Sequence, residues 1–279
     1  MPIISVLTAA YAPSAMFLPE AMQSVLSQKL PEGWELEWVV QEDGPAPQLG
    51  DALSGDSRVK YAANGTSLGI GATRNLALSR VAGELVQVLD HDDLLLPGAL
   101  ATMIPAFSDP RVQWAIGQAD DLSSDGTREE WPSALPLGHL SAGTVNHWAV
   151  AHGGNWPVHC AGLTMRTTTV RAIGGWAGLP YDDDINMFAC LSEITDGYNE
   201  PSTTWLYRQH PTQVTKSDPR REWSDTTRKI ALQRAASTRA SGLTIDRFRA
   251  SEVPNDTHAS QQQLSNKPRR AAGPKARSA

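Results

Sequence analysis

The stretch QVLDHDDLLLPGAL, residues 87–100, sets Asp90, Asp92 and Asp93 within four positions at the end of an apolar run. A second acidic pair, Glu42 and Asp43, closes the run LEWVVQED, and a third cluster, Asp182, Asp183 and Asp184, follows Gly174-Gly175-Trp176. Crowded carboxylates repel one another unless a cation or a hydrogen-bond donor compensates them. On an extended segment, side chains two apart point the same way, so Asp90 and Asp92 are expected to face one site while His91 turns aside. Mg²⁺ or Mn²⁺ would relieve the repulsion, and such ions usually complete their shells with water and substrate phosphates. The first two clusters therefore point to a metal and a nucleotide-diphosphate ligand. In the YDDD cluster a carboxylate crowded by its neighbours holds its proton more tightly. The same residues also suit a helix N-terminus, and Asp93 alone suits a turn or cap.

Placing these side chains together requires a scaffold. Apolar runs and helix-period segments alternate through the first 120 residues, the pattern of βα units that build a mostly parallel sheet. Strands are expected at IISVLTAA, LEWVVQEDG, RVKYAAN, ELVQVLDHDD and VQWAIGQADDLS. Helices are expected over residues 18–30, in GIGATRNLALSRVAG, and from Pro97 to Phe107. In such sheets ligands gather beyond the carboxyl ends of the strands, where the first two acidic clusters fall. No period is visible from about Asp125 to Trp156, and a loop of that length in a compact domain is usually functional. Trp131, Trp148, Trp156 and Trp176 lie there and near YDDD, where aromatic faces would suit an acceptor ring. Helices at residues 167–172, 184–196 and 225–240 and a strand at TTWLYRQH follow, and the polar chain from Ser251 is expected to be disordered.

Composition narrows the function. A net charge of −6 over 279 residues argues against a nucleic-acid binder that works by neutralising phosphates. Cys160 and Cys190 are the only cysteines, in no disulfide or zinc pattern. His147, His152 and His159 fit no metal template. GIGATRN lacks the third glycine of a dinucleotide fingerprint. With no basic leader and no apolar run near the roughly 20 residues that span a bilayer, the chain reads as cytoplasmic without an integral membrane segment.

In this order and spacing, ISVLTAAYAP, LEWVVQEDGP, GIGATRNLAL and VLDHDDLLLPGAL resemble the nucleotide-binding half of family 2 glycosyltransferases of the GT-A fold. The resemblance continues through GGWAGLPYDDDINMF and YRQHPTQVT, covering about residues 2–217. It implies an α/β, Rossmann-like GT-A domain with a mostly parallel central sheet. Residues 1–124 would form its nucleotide-sugar-binding half and residues 125–250 its acceptor-binding half and C-terminal helix, ahead of a disordered tail at 251–279. It further implies that Asp43 contacts the base, that Tyr11 lines the nucleotide pocket, and that Arg74 and Asn75 lie beside the nucleotide. Asp90 and Asp92 match the DxD motif, with Asp92 on the metal and Asp90 near the ribose or a metal-bound water, and His210 is a further metal-associated residue. Asp184 matches the general base of inverting enzymes, with Asp183, Trp156 and Trp176 on the acceptor side.

Two departures stand out. QEDGP replaces the family's two aspartates followed by Gly-Ser, which leaves the preferred base open. DDD replaces Glu-Asp, so Asp182 and Asp183 compete for the base role, although the following INMF favours Asp184. The expected activity is metal-dependent, inverting transfer from a nucleotide-diphospho-sugar to a glycan, a lipid-linked glycan or a small natural product. The alternatives are a nucleotidyltransferase and a non-catalytic nucleotide-sugar binder.

Overall fold

The run IISVLTAAY forms strand β1, Ile3–Tyr11, and Ile4 to Ala10 are all buried. Burial on both faces is what a central parallel strand requires. β1 pairs in parallel with β2 (Glu35–Asp43) on one side and β4 (Leu85–Val88) on the other, and β3 (Val59–Ala63) extends the sheet beyond β2. Helices α1 (Leu18–Leu26) and α2 (Ile70–Arg80) carry two of the crossovers. α1 has Pro19 in its first turn and ends at Leu26, ahead of the expected Leu30. The computed structural model describes residues 1–243 and 245, so the segment read as a disordered tail lies outside the described residues.

The second half of the sheet is mixed. It contains β5 (Leu94–Leu95), β6 (Val112–Leu122), β9 (Leu163–Arg166) and β10 (Asp196–Arg208), in the overall order β3-β2-β1-β4-β9-β6-β10-β5. β9 runs antiparallel between β4 and β6, while β6 and β10 are parallel to each other. Two short strands, β7 (Arg128–Glu130) and β8 (Gly138–Leu140), hang on β6 and β10. Alternation along β1 feeds two cores: Leu7 packs with one apolar cluster, and Ile4, Val6 and Ala10 with the other. α1 and α3 (Ala99–Met103) cover one core. The other is covered by α2, α4 (Thr144–Ala151), α5 (Thr167–Ala172), α6 (Asp183–Ile194) and α7 (Asp218–Ala240).

Several elements differ from expectation. β4 stops at Val88, and the Asp93 N–H closes a turn onto the Asp90 carbonyl at 3.1 Å. The acidic stretch is therefore a turn and not an extended strand, and His91 is not turned aside. α4 occupies the stretch that showed no period. It is short, flanked by Gly143, Gly153 and Gly154, and buries only Val145, Asn146 and Ala149. α7 begins at Asp218, ahead of the expected Asp225, where Ser217-Asp218-Pro219 is an ordinary helix start. β10 is longer than expected and is irregular between Asn199 and Thr203, around Pro201, which cannot donate to a strand ladder.

Candidate functional site

A cavity of about 450 Å³ opens beyond the carboxyl ends of β1 and β2 and at the acidic turn. Tyr11, Asp43, Asp90, His91 and Asp92 all line it, so the structure brings these sequence-predicted positions together. Glu42 and Asp43 are neighbours on a strand and do different work. Glu42 is buried and accepts hydrogen bonds from the backbone N–H of Gln48 (2.9 Å) and Leu49 (3.0 Å) and from the Tyr61 hydroxyl (2.5 Å). Burial, and then Glu42, pushes the Tyr61 hydroxyl up to about 12. Asp43 accepts from the N–H of Leu68 (2.7 Å) and Gly69 (3.1 Å) and from Asn64 Nδ2 (2.9 Å), which shapes the loop on the cavity rim.

Much of the charge of the acidic turn is compensated by the chain itself. Asp90 Oδ1 accepts from the Arg74 guanidinium at 2.6 Å, and Asp92 Oδ2 lies 2.9 Å from His210 Nε2. The His91 ring contacts Ser14 Oγ at 2.8 Å, inside the cavity wall it shares with Asp90 and Asp92. Asp93 is buried and accepts from the Arg208 N–H at 2.9 Å, tying the turn to the end of β10. Burial, then Asp92 and Asp90, pushes the Asp93 carboxyl well up.

Among the described residues no three His, Cys, Asp or Glu side chains converge as a metal site. The donor set still suits a hard divalent ion that draws the rest of its shell from phosphates and water. Asp92 opens into the cavity, and His210 Nδ1 lies 2.9 Å from Thr212 Oγ1, the outer contact that orients a ligating imidazole.

The YDDD cluster sits at the start of α6, and its three carboxylates are held differently. Asp182 is the one described non-glycine residue in the left-handed region (φ 53°), and its Oδ2 accepts from the buried Thr227 hydroxyl of α7 at 2.5 Å. Asp183 is buried and pairs with Arg74 at 3.0 Å; burial pushes it up against the pull of that guanidinium. The Asp184 carboxylate accepts from the adjacent Ile185 N–H at 2.8 Å. Burial first, then Asp183, pushes Asp184 up to about 6. Arg74, 2% exposed, thus stands behind the cavity as a single cation between Asp90 of the acidic turn and Asp183 of α6.

Asn75 is not among the residues that line this cavity. Its side chain accepts from the Trp176 N–H and donates to the Trp176 carbonyl, both at 2.8 Å. Gly175 (φ 69°) passes so close to the Asn75 amide that a Cβ there would collide with it. Trp176 is buried in the core, whereas Trp156 lines a second cleft described below. Cys160 and Cys190 are free and buried, and burial pushes the Cys160 thiol well up. Sequence reasoning passed over Tyr181, Tyr207, Gln213 and Thr215, which also line the 450 Å³ cavity. They come from segments remote from the nucleotide-binding half and carry no spacing signal.

Residues 5–163 match the model of the family described as glycosyl transferase family 2. The chain belongs to glycosyl transferase family 2. Within half of its length it is similar to the succinoglycan biosynthesis protein ExoO of Rhizobium meliloti, at 34% identity over 143 residues, 50% of this chain and 40% of that protein. It is also similar to an uncharacterized glycosyltransferase, MJ1057, of Methanocaldococcus jannaschii, at 28% identity over 104 residues, 36% and 35% of the two chains. The matches therefore span about two fifths or less of these curated relatives' length. Among solved structures, residues 1–349 of S. aureus TarS in complex with UDP-GlcNAc align with a TM-score of 0.62 at 13% identity, over 95% of this chain and 79% of that one. At that identity the likeness is one of fold, and the fold is the GT-A type. Among the described residues no helix is long and apolar enough to cross a membrane.

Proposed function

We propose that this family 2 member is a metal-dependent, inverting glycosyltransferase that moves a sugar from a nucleoside-diphosphate donor to an acceptor hydroxyl. The observation that carries the reading is the pairing of two sites across Arg74. On one side is a strand-end cavity with the Asp92–His210 pair, and on the other is Asp184, a carboxylate whose proton affinity is raised to about 6. A base near that value is mostly ionised at neutral pH and still takes up a proton readily. Family membership supports the reading, as does the similar fold of a protein that holds UDP-GlcNAc.

In this reading Tyr11 and the loop held by Asp43 border the base and ribose. Asp92 and His210 would hold Mg²⁺ or Mn²⁺, which supplies Lewis-acid stabilisation of the departing diphosphate. Arg74 keeps Asp90 and Asp183 in fixed positions. The acceptor hydroxyl gives its proton to Asp184 as its oxygen bonds to the anomeric carbon. The bond from that carbon to the donor phosphate oxygen breaks with its electron pair, and the configuration inverts.

The test is a thermal-shift panel of UDP, GDP, dTDP and CDP, with and without Mn²⁺, on the wild type and Asp92→Ala. A ligand at a hundred times its dissociation constant stabilises by about 2.7 kcal/mol, which at this size raises Tm by roughly 5–10 °C. The expected result is such a shift for one nucleotide, dependent on Mn²⁺ and lost in Asp92→Ala. No shift with any nucleotide, from folded protein, overturns the reading.

A further inference from the structure

Beside the donor cavity lies a second cleft, of about 280 Å³, to which the proposed reaction assigns no role. Trp131, Trp156 and Trp205 give it aromatic walls, and Gln118, Ser133 and His159 give it polar groups. Among the described residues, no Asp, Glu, Lys or Arg lines it.

Its position is specific. Tyr207 lines the donor cavity; its ring lies parallel to Trp131 within 10° at 6.2 Å, and 5.4 Å from the His159 ring. The rings of Tyr207 and Trp131 thus stand between the two spaces. On the other flank, Trp156 and Val158 line both the cleft and a small void at Asp184. The cleft thus shares walls with the void at the proposed base and stands next to the ring that lines the donor cavity, a place open to an acceptor.

The walls are also fixed in advance. The indole N–H of Trp156 donates to Asn146 Oδ1 (2.9 Å) and that of Trp205 to the Gly117 carbonyl (3.2 Å). Gln118 Nε2 donates to Asn199 Oδ1 (2.7 Å) and to the Glu200 carbonyl (2.6 Å). Asn199 in turn donates to Ser133 Oγ (3.0 Å) and to the carbonyls of Leu135 (3.2 Å) and Pro136 (3.0 Å), which fastens the segment that follows Trp131. A site built beforehand spends less affinity on ordering itself.

The chemistry selects one kind of occupant. Aromatic faces pack against the C–H faces of a sugar ring, and amide and hydroxyl oxygens accept from its hydroxyls. A phosphate or carboxylate would lose its water and find no Lys or Arg among the described lining residues in exchange. We propose that this cleft binds an uncharged pyranose ring of the acceptor, with Trp131, 42% exposed, as its stacking platform. The acceptor is then a neutral saccharide. This rests on the transferase reading above and adds the acceptor's chemical class to it.

The test follows the indole N–H resonances of ¹⁵N-tryptophan-labelled full-length protein, with Trp131→Phe assigning the Trp131 signal. Methyl β-glucoside, methyl β-galactoside, maltose, cellobiose and chitobiose are titrated up to their solubility, with methyl glucuronide as the anionic arm. The expected result is a saturable shift of the Trp131 and Trp205 signals with at least one neutral saccharide and none with the glucuronide. Trp131→Ala weakens that binding about tenfold, Trp131→Phe retains most of it, and Trp223→Ala on α7 leaves it unchanged. In turnover, Trp131→Ala raises the acceptor KM by a like factor and moves the donor KM far less. Silence from every neutral saccharide, equal or tighter binding of the glucuronide, or unaltered binding by a folded Trp131→Ala overturns the proposal. Failure of the transferase reading is distinguishable, because it appears as absent nucleotide binding in the wild type, whatever the saccharides do.

Discussion

Asp184, the proposed base, carries a charge that the fold disfavours. Its carboxyl is raised from 3.8 to about 6, by burial and then by Asp183. At about 1.4 kcal/mol per unit, ionising it costs the native state about 3 kcal/mol at neutral pH. The folded chain holds this proton more tightly than the unfolded one, so the contribution to stability is greatest below about pH 4 and is lost as pH rises through about 6. Asp184→Asn removes the ionisation and keeps an oxygen to accept from the Ile185 N–H. The variant is expected to be more stable than the wild type at neutral pH by up to about 3 kcal/mol. For a chain of this size that is a Tm higher by roughly 6–12 °C, with the gap closing toward pH 4. Turnover falls at least about a hundredfold while nucleotide binding is kept. Differential scanning fluorimetry from pH 4 to 8, with donor hydrolysis and transfer assays alongside, reads both effects. A Tm difference that is absent, reversed or flat across that range would refute the burial argument, and full turnover in the variant would refute the base assignment.

Arg74→Gln strands Asp90 and Asp183 without their shared cation and is expected to cost about 3–5 kcal/mol in urea unfolding; a loss under about 1 kcal/mol would show that the ion pairs are not what holds the two elements together. Gly71→Ala puts a Cβ against the Ala177 carbonyl and 3.1 Å from Asp183 Cβ, so it is expected to destabilise by about 1–3 kcal/mol despite the helix propensity of alanine. Its turnover should fall more than its nucleotide affinity, as Asp183 and Asp184 shift; stability equal to the wild type counts against that contact. Asn75→Ala removes both hydrogen bonds to Trp176 and should lower stability by about 1–3 kcal/mol while leaving nucleotide affinity intact. A selective loss of nucleotide affinity would instead return Asn75 to the donor site.

The parts of the fold that were legible in the sequence are those where burial on both faces writes an unbroken apolar run. IISVLTAAY and LEWVVQED became β1 and β2, and GIGATRNLALSR became α2. Where residues make their bonds with side chains far along the chain, the sequence was silent or misleading. The acidic turn was read as extended because nothing local shows Arg208 N–H reaching Asp93, or Ser14 reaching His91. The compensation of the clustered acids by the chain itself is hidden for the same reason, since Arg74 and His210 approach from 16 and 118 positions away. Asn75 resembled a nucleotide contact, yet its partner is the backbone at Trp176, 101 positions away. In YDDD the sequence favours Asp184 only through the INMF that follows, whereas in the fold Thr227 holds Asp182 and Arg74 holds Asp183.

The Asn199 amide has a consequence for how such a protein could change its partner. Between β7 and β8 the chain that carries Trp131 is fastened to the sheet by one side chain reaching Ser133 Oγ and the carbonyls of Leu135 and Pro136. Two of those three anchors are main-chain oxygens, which persist whatever side chains surround them. The stretch from Trp131 to Leu137 is therefore an exchangeable cassette. Its exposed side chains can be rewritten while the latch and the buried Leu135 hold, and the cavity behind Tyr207 need not be rebuilt. Grafting the corresponding loop from a relative, with Asn199 retained, is the shortest route to redirecting the acceptor.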